Sequence, residues 1–291
     1  MNEQPGAQDN EAPRNRLSAA ADLEEFSEKE KDSIEAQSRP SAALIHETIR
    51  AEGESELQRT VSALLLSGVA AGLSIGFSLV LEGLMHARLP EAPWRELVSN
   101  LGYTVGFLIV VLGRQQLFTE NTLTPVLPLL HHRNVATLWR VLRLWGLVLA
   151  ANIAGTWMIA AVVAHTAIFP VDVQAAFQEI SKPVMEGSFT VTFTKAVFAG
   201  WLIALMAWLL PAADASRPLI IIIITYVVGL GGFVHIVAGS VDAFYLLEVG
   251  AINWSDYATR FFVPVLLGNI VGGVALVAAL NYGQVAPEIA G

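Results

Sequence analysis

Residues 101–130 read LGYTVGFLIV VLGRQQLFTE NTLTPVLPLL, and the interruption in their middle decides the fold. Leu101 to Leu112 is apolar but short, and Gly113-Arg114-Gln115-Gln116-Leu117-Phe118-Thr119-Glu120-Asn121 intervenes before Leu123 to Leu130 resumes the run. The same design recurs further on. Pro218 to Leu230 stops at Gly231-Gly232-Phe233-Val234-His235, and Val241 to Leu247 continues it. A membrane crossing takes about 20 apolar residues, so neither half spans alone. Backbone that leaves the helix at membrane depth is tolerated only where it is buried in protein or lines a cavity. Two interrupted crossings at corresponding places therefore predict a transport site.

Four uninterrupted runs accompany them: Val61 to Leu84, Val141 to Ala164, Phe189 to Leu210 and Phe261 to Leu280. The expected fold is an all-α membrane protein of six crossings, the second and fifth broken by loops. Composition agrees. Of 291 residues, 54% are hydrophobic and only 15% charged, with mean hydropathy +0.54, which is too apolar for a soluble domain of this length. The chain has no cysteine, which rules out disulfides and thiolate metal sites.

Charge divides the chain into regions. Residues 1–59 carry 14 acidic and 7 basic side chains, whereas 60–291 carry 12 and 10. Residues 1–40 are expected to be a disordered acidic arm, lacking the apolar content that offsets ordering entropy. With no basic segment followed by an apolar one there, insertion is expected to be directed by the internal crossings. Residues 41–59 fit an amphipathic interfacial helix, with Ile45, Ile49 and Leu57 set among Glu47, Arg50, Glu52 and Glu56. The channel domain runs over 60–283, and 284–291 form a short tail.

Asn152-Ile153-Ala154-Gly155 resembles Asn269-Ile270-Val271-Gly272, an offset of 117 that also carries Phe118 onto His235. Three crossings per half is an odd number, so the halves have opposite orientations, and the architecture is an inverted 3+3 repeat. Both termini then share one side. Arg50, Arg59, Arg133, Arg140, Arg143 and Arg217 flank crossings there, against Arg88, Arg95, Lys182 and Arg260 opposite. That bias predicts cytoplasmic termini and a multi-pass protein of the plasma (inner) membrane.

The Leu117-Phe118-Thr119 loop, the Gly232-Phe233-Val234-His235 loop and the closing Pro264-Val265-Leu266-Leu267-Gly268-Asn269-Ile270-Val271-Gly272-Gly273 together resemble the formate/nitrite transporter family over residues 45–283. The resemblance implies an aquaporin-like bundle, a homo-pentamer with one pore per protomer, and small monovalent anions as cargo. It makes Leu117, Phe118, Thr119, Phe233 and His235 pore residues, with Asn152 and Asn269 structural or pore-adjacent. Departures from the usual pattern at Arg114, at Val234, at Ala204 and over Ile236-Val237-Ala238-Gly239 resemble the divergent YfdC-like branch.

A carboxylate entering an apolar constriction loses its hydration at great cost. Helix-break dipoles, the cations Arg114 and Lys195, and a titratable His235 are the groups available to offset it. Permeation of a weak acid coupled to a proton at His235 is the corresponding expectation. Plainer roles stand beside these. Arg114 and Glu120 form a candidate ion pair across the loop, Lys195 snorkels or lines the pore, and Asp242 caps the second half of the fifth crossing. Phe118 suits a hydrophobic gate.

Other motifs dissolve. Gly72-Leu73-Ser74-Ile75-Gly76 fits a nucleophile pattern but lies within an apolar crossing; its glycines, with Gly68, instead suit close helix packing. His131-His132 is expected to be solvent-exposed, with no acidic or third histidine neighbour to complete a metal site. No ATP-binding loop, metalloprotease motif or basic nucleic-acid patch occurs, so neither an enzyme nor a cofactor is expected. Two further readings remain at this point: a non-conducting scaffold or sensor that uses the acidic arm, and a neutral-solute pore. The absence of any Asn-Pro dipeptide counts against the second.

Overall fold

The computed structural model describes residues 40–280 together with 283 and 284. The acidic arm and the C-terminal tail therefore lie outside the described residues, except for residues 40 and 284 at their inner edges.

A surface helix, Ala42–Leu57, precedes the bundle and buries His46, Ile49, Gly53 and Leu57. Thr60 then caps the first crossing, Val61–Arg88, by accepting a hydrogen bond from Ala63 N. Asn134 does the same for the third crossing, Val135–His165, through Thr137 N at 2.8 Å. The fourth is Phe189–Leu209, capped by Ser188. All three carry large exposed side chains such as Leu66, Trp157 and Phe198, the arrangement that a lipid solvent requires. The second crossing consists of Thr104–Leu112 and Val126–His132. The fifth consists of Arg217–Leu230, 14 residues, and Ala238–Glu248, 11 residues. Both are broken where the apolar pattern stops, and among the described residues no strand occurs. A lateral helix, Val171–Ser181, joins the third and fourth crossings.

The sixth crossing is irregular. It begins at Trp254–Asp256, widens into π-helical turns over Tyr257–Phe262, returns to α-helix over Val263–Ile270 and widens again over Val271–Ala279. Pro264 lacks an N–H and cannot complete an ordinary turn, and π-turns of this kind gather at functional sites.

The inverted repeat is visible in the packing. The first crossing lies against the third, and the fourth against the sixth. A Cβ at Gly72 would meet the Asn152 carbonyl oxygen, and one at Gly200 would meet the Asn269 carbonyl oxygen. Gly155 and Gly272 answer them from the facing helices, next to Val69 O and Val197 O. Small residues at both positions let backbones approach closely, which substitutes for a hydrophobic driving force in lipid. One pair is exchanged between halves: Gly68 receives the Ala151 methyl, whereas Gly268 receives the Ala196 methyl.

Candidate functional site

Each interrupted crossing leaves backbone groups without helical partners, and a buried asparagine collects them in each half. Asn152 Nδ2 donates to Gln116 O and Gly68 O, both at 2.8 Å, while its Oδ1 accepts from Phe118 N at 2.9 Å. Asn269 Nδ2 donates to Val234 O at 3.0 Å and Ala196 O at 2.8 Å, and its Oδ1 accepts from Ile236 N at 2.8 Å. Both side chains are fully buried. An amide offers two donors and two acceptor sites, so each asparagine fastens a loop to the crossing it belongs to and to a neighbour.

These bonds correct the register of the repeat. They pair Phe118 with Ile236 and Gln116 with Val234, an offset of 118 in the loops, while the asparagines themselves stand 117 apart. His235 therefore corresponds to Leu117 and not to Phe118. The turns agree: Arg114 and Gly232 both adopt the left-handed region, at φ 50° and 59°.

The two loops meet at Thr119 and His235, where Thr119 Oγ1 and His235 Nε2 are 2.6 Å apart. His235 Nδ1 lies 3.0 Å from Ala238 N. A backbone N–H can only donate, so Nδ1 is an acceptor and the neutral ring carries its proton on Nε2, donating to the threonine oxygen. His235 thereby closes the first turn of the half-helix Ala238–Glu248, the role expected of Asp242. Asp242 does not cap this helix; its carboxylate accepts from Ser181 Oγ at 3.3 Å. The Phe107 and His235 ring centroids are 5.1 Å apart in an edge-to-face arrangement, and Phe118 packs edge-on to Trp145. Leu117, Phe118 and Thr119 are buried, and His235 is 1% exposed. The junction is a closed, buried plug.

A cavity opens on either side of it. On the side of the surface helix, about 510 Å³ is bounded by Glu52, Glu56, Glu120, Arg59, Arg114 and Arg217. On the far side, about 270 Å³ reaches His235 itself, with Phe233, Lys195 and Asp242 in its wall. Phe233 stacks on Phe198 at 5.1 Å. Lys195 thus faces this cavity, near Gly232.

Arg114 does not pair with Glu120. Its left-handed backbone turns the side chain toward Glu52 Oε1 at 3.0 Å, and 74% of it stays exposed. His132 likewise has an acidic neighbour that its local sequence conceals, Glu54 Oε1 at 2.6 Å. Among the described residues no group of three ligands able to hold a metal ion is present.

Several lining residues were not singled out from sequence: Gln116 and Thr124, and the acids Glu56, Glu82, Glu96 and Glu179; nor was Phe107, which packs against His235. Glu82 carried a readable signal, since an ionisable residue inside a crossing is a functional candidate by default. Glu56 reaches from the surface helix to Thr124 Oγ1 at 2.6 Å and Gln116 Nε2 at 3.2 Å, holding the loop of the second crossing. Burial pushes its carboxyl above the usual carboxylate range, against the two hydrogen bonds. A carboxyl with a raised folded-state value binds more protons folded than unfolded, so its contribution to stability falls as pH rises above the unfolded value. Glu56→Gln is expected to lessen the loss of thermal stability as pH rises above the ordinary carboxylate range, read as the difference between variant and wild-type melting temperatures.

The sequence pattern described as "Formate/nitrite transporter" matches residues 43–283. The chain belongs to the formate/nitrite transporter family. Within this family it is 43% identical over 263 residues to Inner membrane protein YfdC of Escherichia coli (strain K12), covering 90% of this chain and 85% of that protein. Formate channel BtFdhC of Bacillus thuringiensis is 30% identical over 241 residues, 80% of this chain and 91% of its own. Two solved structures share the fold. One, described as an FNT family ion channel, has TM-score 0.73 at 18% identity and covers 82% of this chain and 98% of its own. The other, a pentameric formate channel with formate bound, has TM-score 0.67 at 20% identity and covers 77% and 97%. Membership in the formate/nitrite transporter family fits a membrane protein with two loops meeting inside the bundle.

Proposed function

We propose that the chain is a transmembrane channel for small monovalent anions of weak acids, formate or nitrite among them, working as a homo-pentamer in the inner membrane with both termini cytoplasmic. It moves its cargo without chemically altering it. The observation that carries this reading is the Thr119–His235 hydrogen bond of 2.6 Å, which lies between the cavities of about 510 and 270 Å³. Cargo passing from one cavity to the other exchanges that bond for contacts of its own. His235 offers its Nε2–H to a carboxylate or nitrite oxygen, and Thr119 offers its hydroxyl. Leu117, Phe118 and Phe107 supply the apolar collar that strips water from the passing molecule. Asn152 and Asn269 hold the loops in place, and proton uptake by the cargo near His235 accounts for the passage of a weak acid through so buried a point.

The alternative of a scaffold needs no such junction, and these loops give it no support. Uptake into proteoliposomes of formate, nitrite, hydrosulfide, acetate and lactate, each at two pH values, tests the proposal. Faster uptake at the lower pH for at least one of them is expected. No uptake of any of the five by intact pentamers overturns it.

A further inference from the structure

The two cavities differ in charge. On the side of the surface helix, the guanidinium groups of Arg59, Arg114 and Arg217 offset the carboxylates of Glu52, Glu56 and Glu120. The far cavity is unbalanced: Glu82, Glu96, Glu179 and Asp242 line it, and among the described residues Lys195 is the single lysine or arginine in its wall. These carboxyls come from four different elements: the first crossing, the short helix Arg95–Ser99, the lateral helix and the second half of the fifth crossing. An anion gains nothing from such an excess of acid, whereas a cation is drawn to it.

The acids are not tied up in structural bonds. Asp242 receives one hydrogen bond, from Ser181 at 3.3 Å, and among the described residues Glu82 makes no hydrogen bond and no ion pair. Arg95 is not their partner either, since its Nε donates to the His86 carbonyl oxygen at 2.9 Å. A second observation, independent of the acids, points to a ligand. His86 is 6% exposed and lines the same cavity, and neither of its ring nitrogens has a hydrogen-bond partner. Glu179 Oε2 lies 3.2 Å from His86 Nε2, close enough for attraction but off the line a hydrogen bond requires. A neutral imidazole keeps one nitrogen as an acceptor, and leaving it unused in a buried position is costly. An N–H donor held in the cavity would use it.

We infer that the far cavity is a binding site for a small organic cation rich in N–H donors, of the guanidinium class, held by Glu82, Asp242 and His86 and stopping the channel from that side. A metal ion does not suit the site. Among the described residues no three ligands stand close enough to share one, because metal–oxygen bonds are only about 2.0–2.6 Å long. A guanidinium reaches further, through hydrogen bonds of roughly 2.7–2.9 Å along several edges, each matched to a carboxylate. It is also more weakly hydrated than an ammonium and leaves water more readily. The rings of Tyr103 and Phe233 in the wall offer faces for such a cation, and about 270 Å³ admits it. It cannot go on through the junction. His235 holds its proton on Nε2 there, so the cation meets the positive end of an N–H, and Lys195 adds a like charge beside Gly232. The cation therefore stays in front of His235, where cargo has to pass. Binding is a property beyond anion transport, and only the block rests on the channel reading above.

Calorimetric titration of the full-length, detergent-solubilised protein with guanidinium chloride, at constant ionic strength and far below denaturing concentrations, is expected to show saturable binding. Two controls separate charge from hydrogen bonding. Urea has nearly the same shape without the charge, and tetramethylammonium has the charge without N–H donors; each is expected to bind at least about tenfold more weakly. Glu82→Gln with Asp242→Asn is expected to weaken guanidinium binding about tenfold or more, and His86→Phe to weaken it severalfold. If the double variant does not fold, Asp242→Asn alone, which retains an acceptor for Ser181, carries the same readout. Equal binding of the three solutes, no saturable binding, or guanidinium affinity unchanged in the variants overturns the site. In proteoliposomes, saturating guanidinium on both faces is expected to lower formate uptake about tenfold, with the double variant resistant. Guanidinium that binds and leaves wild-type formate uptake unchanged overturns the block. The calorimetry needs no flux, so failure of the channel reading and failure of the cation site are told apart.

Discussion

His235→Asn is expected to leave the folded protein intact and to lower weak-acid flux about 10- to 100-fold, the range set by losing one hydrogen bond to a charged group at about 1.5–3 kcal/mol. Two roles of the imidazole are separable because they use different nitrogens. Nδ1 accepts from Ala238 N and starts the half-helix; Nε2 meets Thr119 in the junction. Asparagine is among the residues best suited to accept a hydrogen bond from the backbone three positions on, so it replaces Nδ1. It is too short to replace Nε2. His235→Phe removes both contacts, and should therefore lose flux and also about 1 kcal/mol of stability from the uncapped half-helix. Proteoliposome flux together with the melting temperature of the detergent-solubilised protein checks the pair. Asparagine flux equal to wild type would show that the ring is only a helix cap.

How far the sequence discloses this site depends on the range of the interaction. The broken crossings are legible because hydrophobic runs of about 12 residues cannot span a bilayer, and the structure breaks both where those runs end, after Leu112 and Leu230, with the helices resuming at Val126 and Ala238, later than the interruptions read from sequence. The asparagine pair marks the inverted repeat from sequence alone. Its offset misplaces the loops, however, because the stretch from loop to asparagine is one residue shorter in the second half: Phe118 and Asn152 are 34 positions apart, Ile236 and Asn269 are 33. Only the hydrogen bonds reveal that single deletion. Arg114 and Glu120 invite pairing by proximity, yet a left-handed backbone at Arg114 sends its side chain to Glu52, 62 positions earlier. Local spacing does not encode such a turn at a non-glycine residue. Glu96 and Glu179 sit in connections far apart in the chain, and nothing short of the packed bundle places them in one cavity.

The two buried asparagines should be the least replaceable residues in the bundle. Asn269→Leu keeps the branched shape but removes the side-chain partner of Ile236 N and Val234 O, while Ala196 O keeps its bond within the helix. At about 1–3 kcal/mol for each unsatisfied buried group, the loss reaches the lower end of the stability of a typical domain, roughly 5–15 kcal/mol. Asn269→Asp should be worse still. It keeps the acceptor for Ile236 N but turns the donating edge, which faces two carbonyl oxygens, into a second acceptor carrying charge. Both variants are expected to abolish recovery of monodisperse protein, with the same outcome for Asn152. Truncations to alanine, which leave room for water to reach the freed loop groups, test how the halves communicate. Asn152→Ala loosens one loop, Asn269→Ala the other, and Thr119–His235 is the hydrogen bond through which the loops hold each other. If that bond transmits the loss, the double variant departs from additivity by about 0.5–3 kcal/mol in thermal or denaturant unfolding. The departure should vanish in a Thr119→Val background, where the connection is already cut. Strict additivity in the wild-type background would mean that the loops are anchored independently, and that the junction at the pore is a contact between two separately built walls.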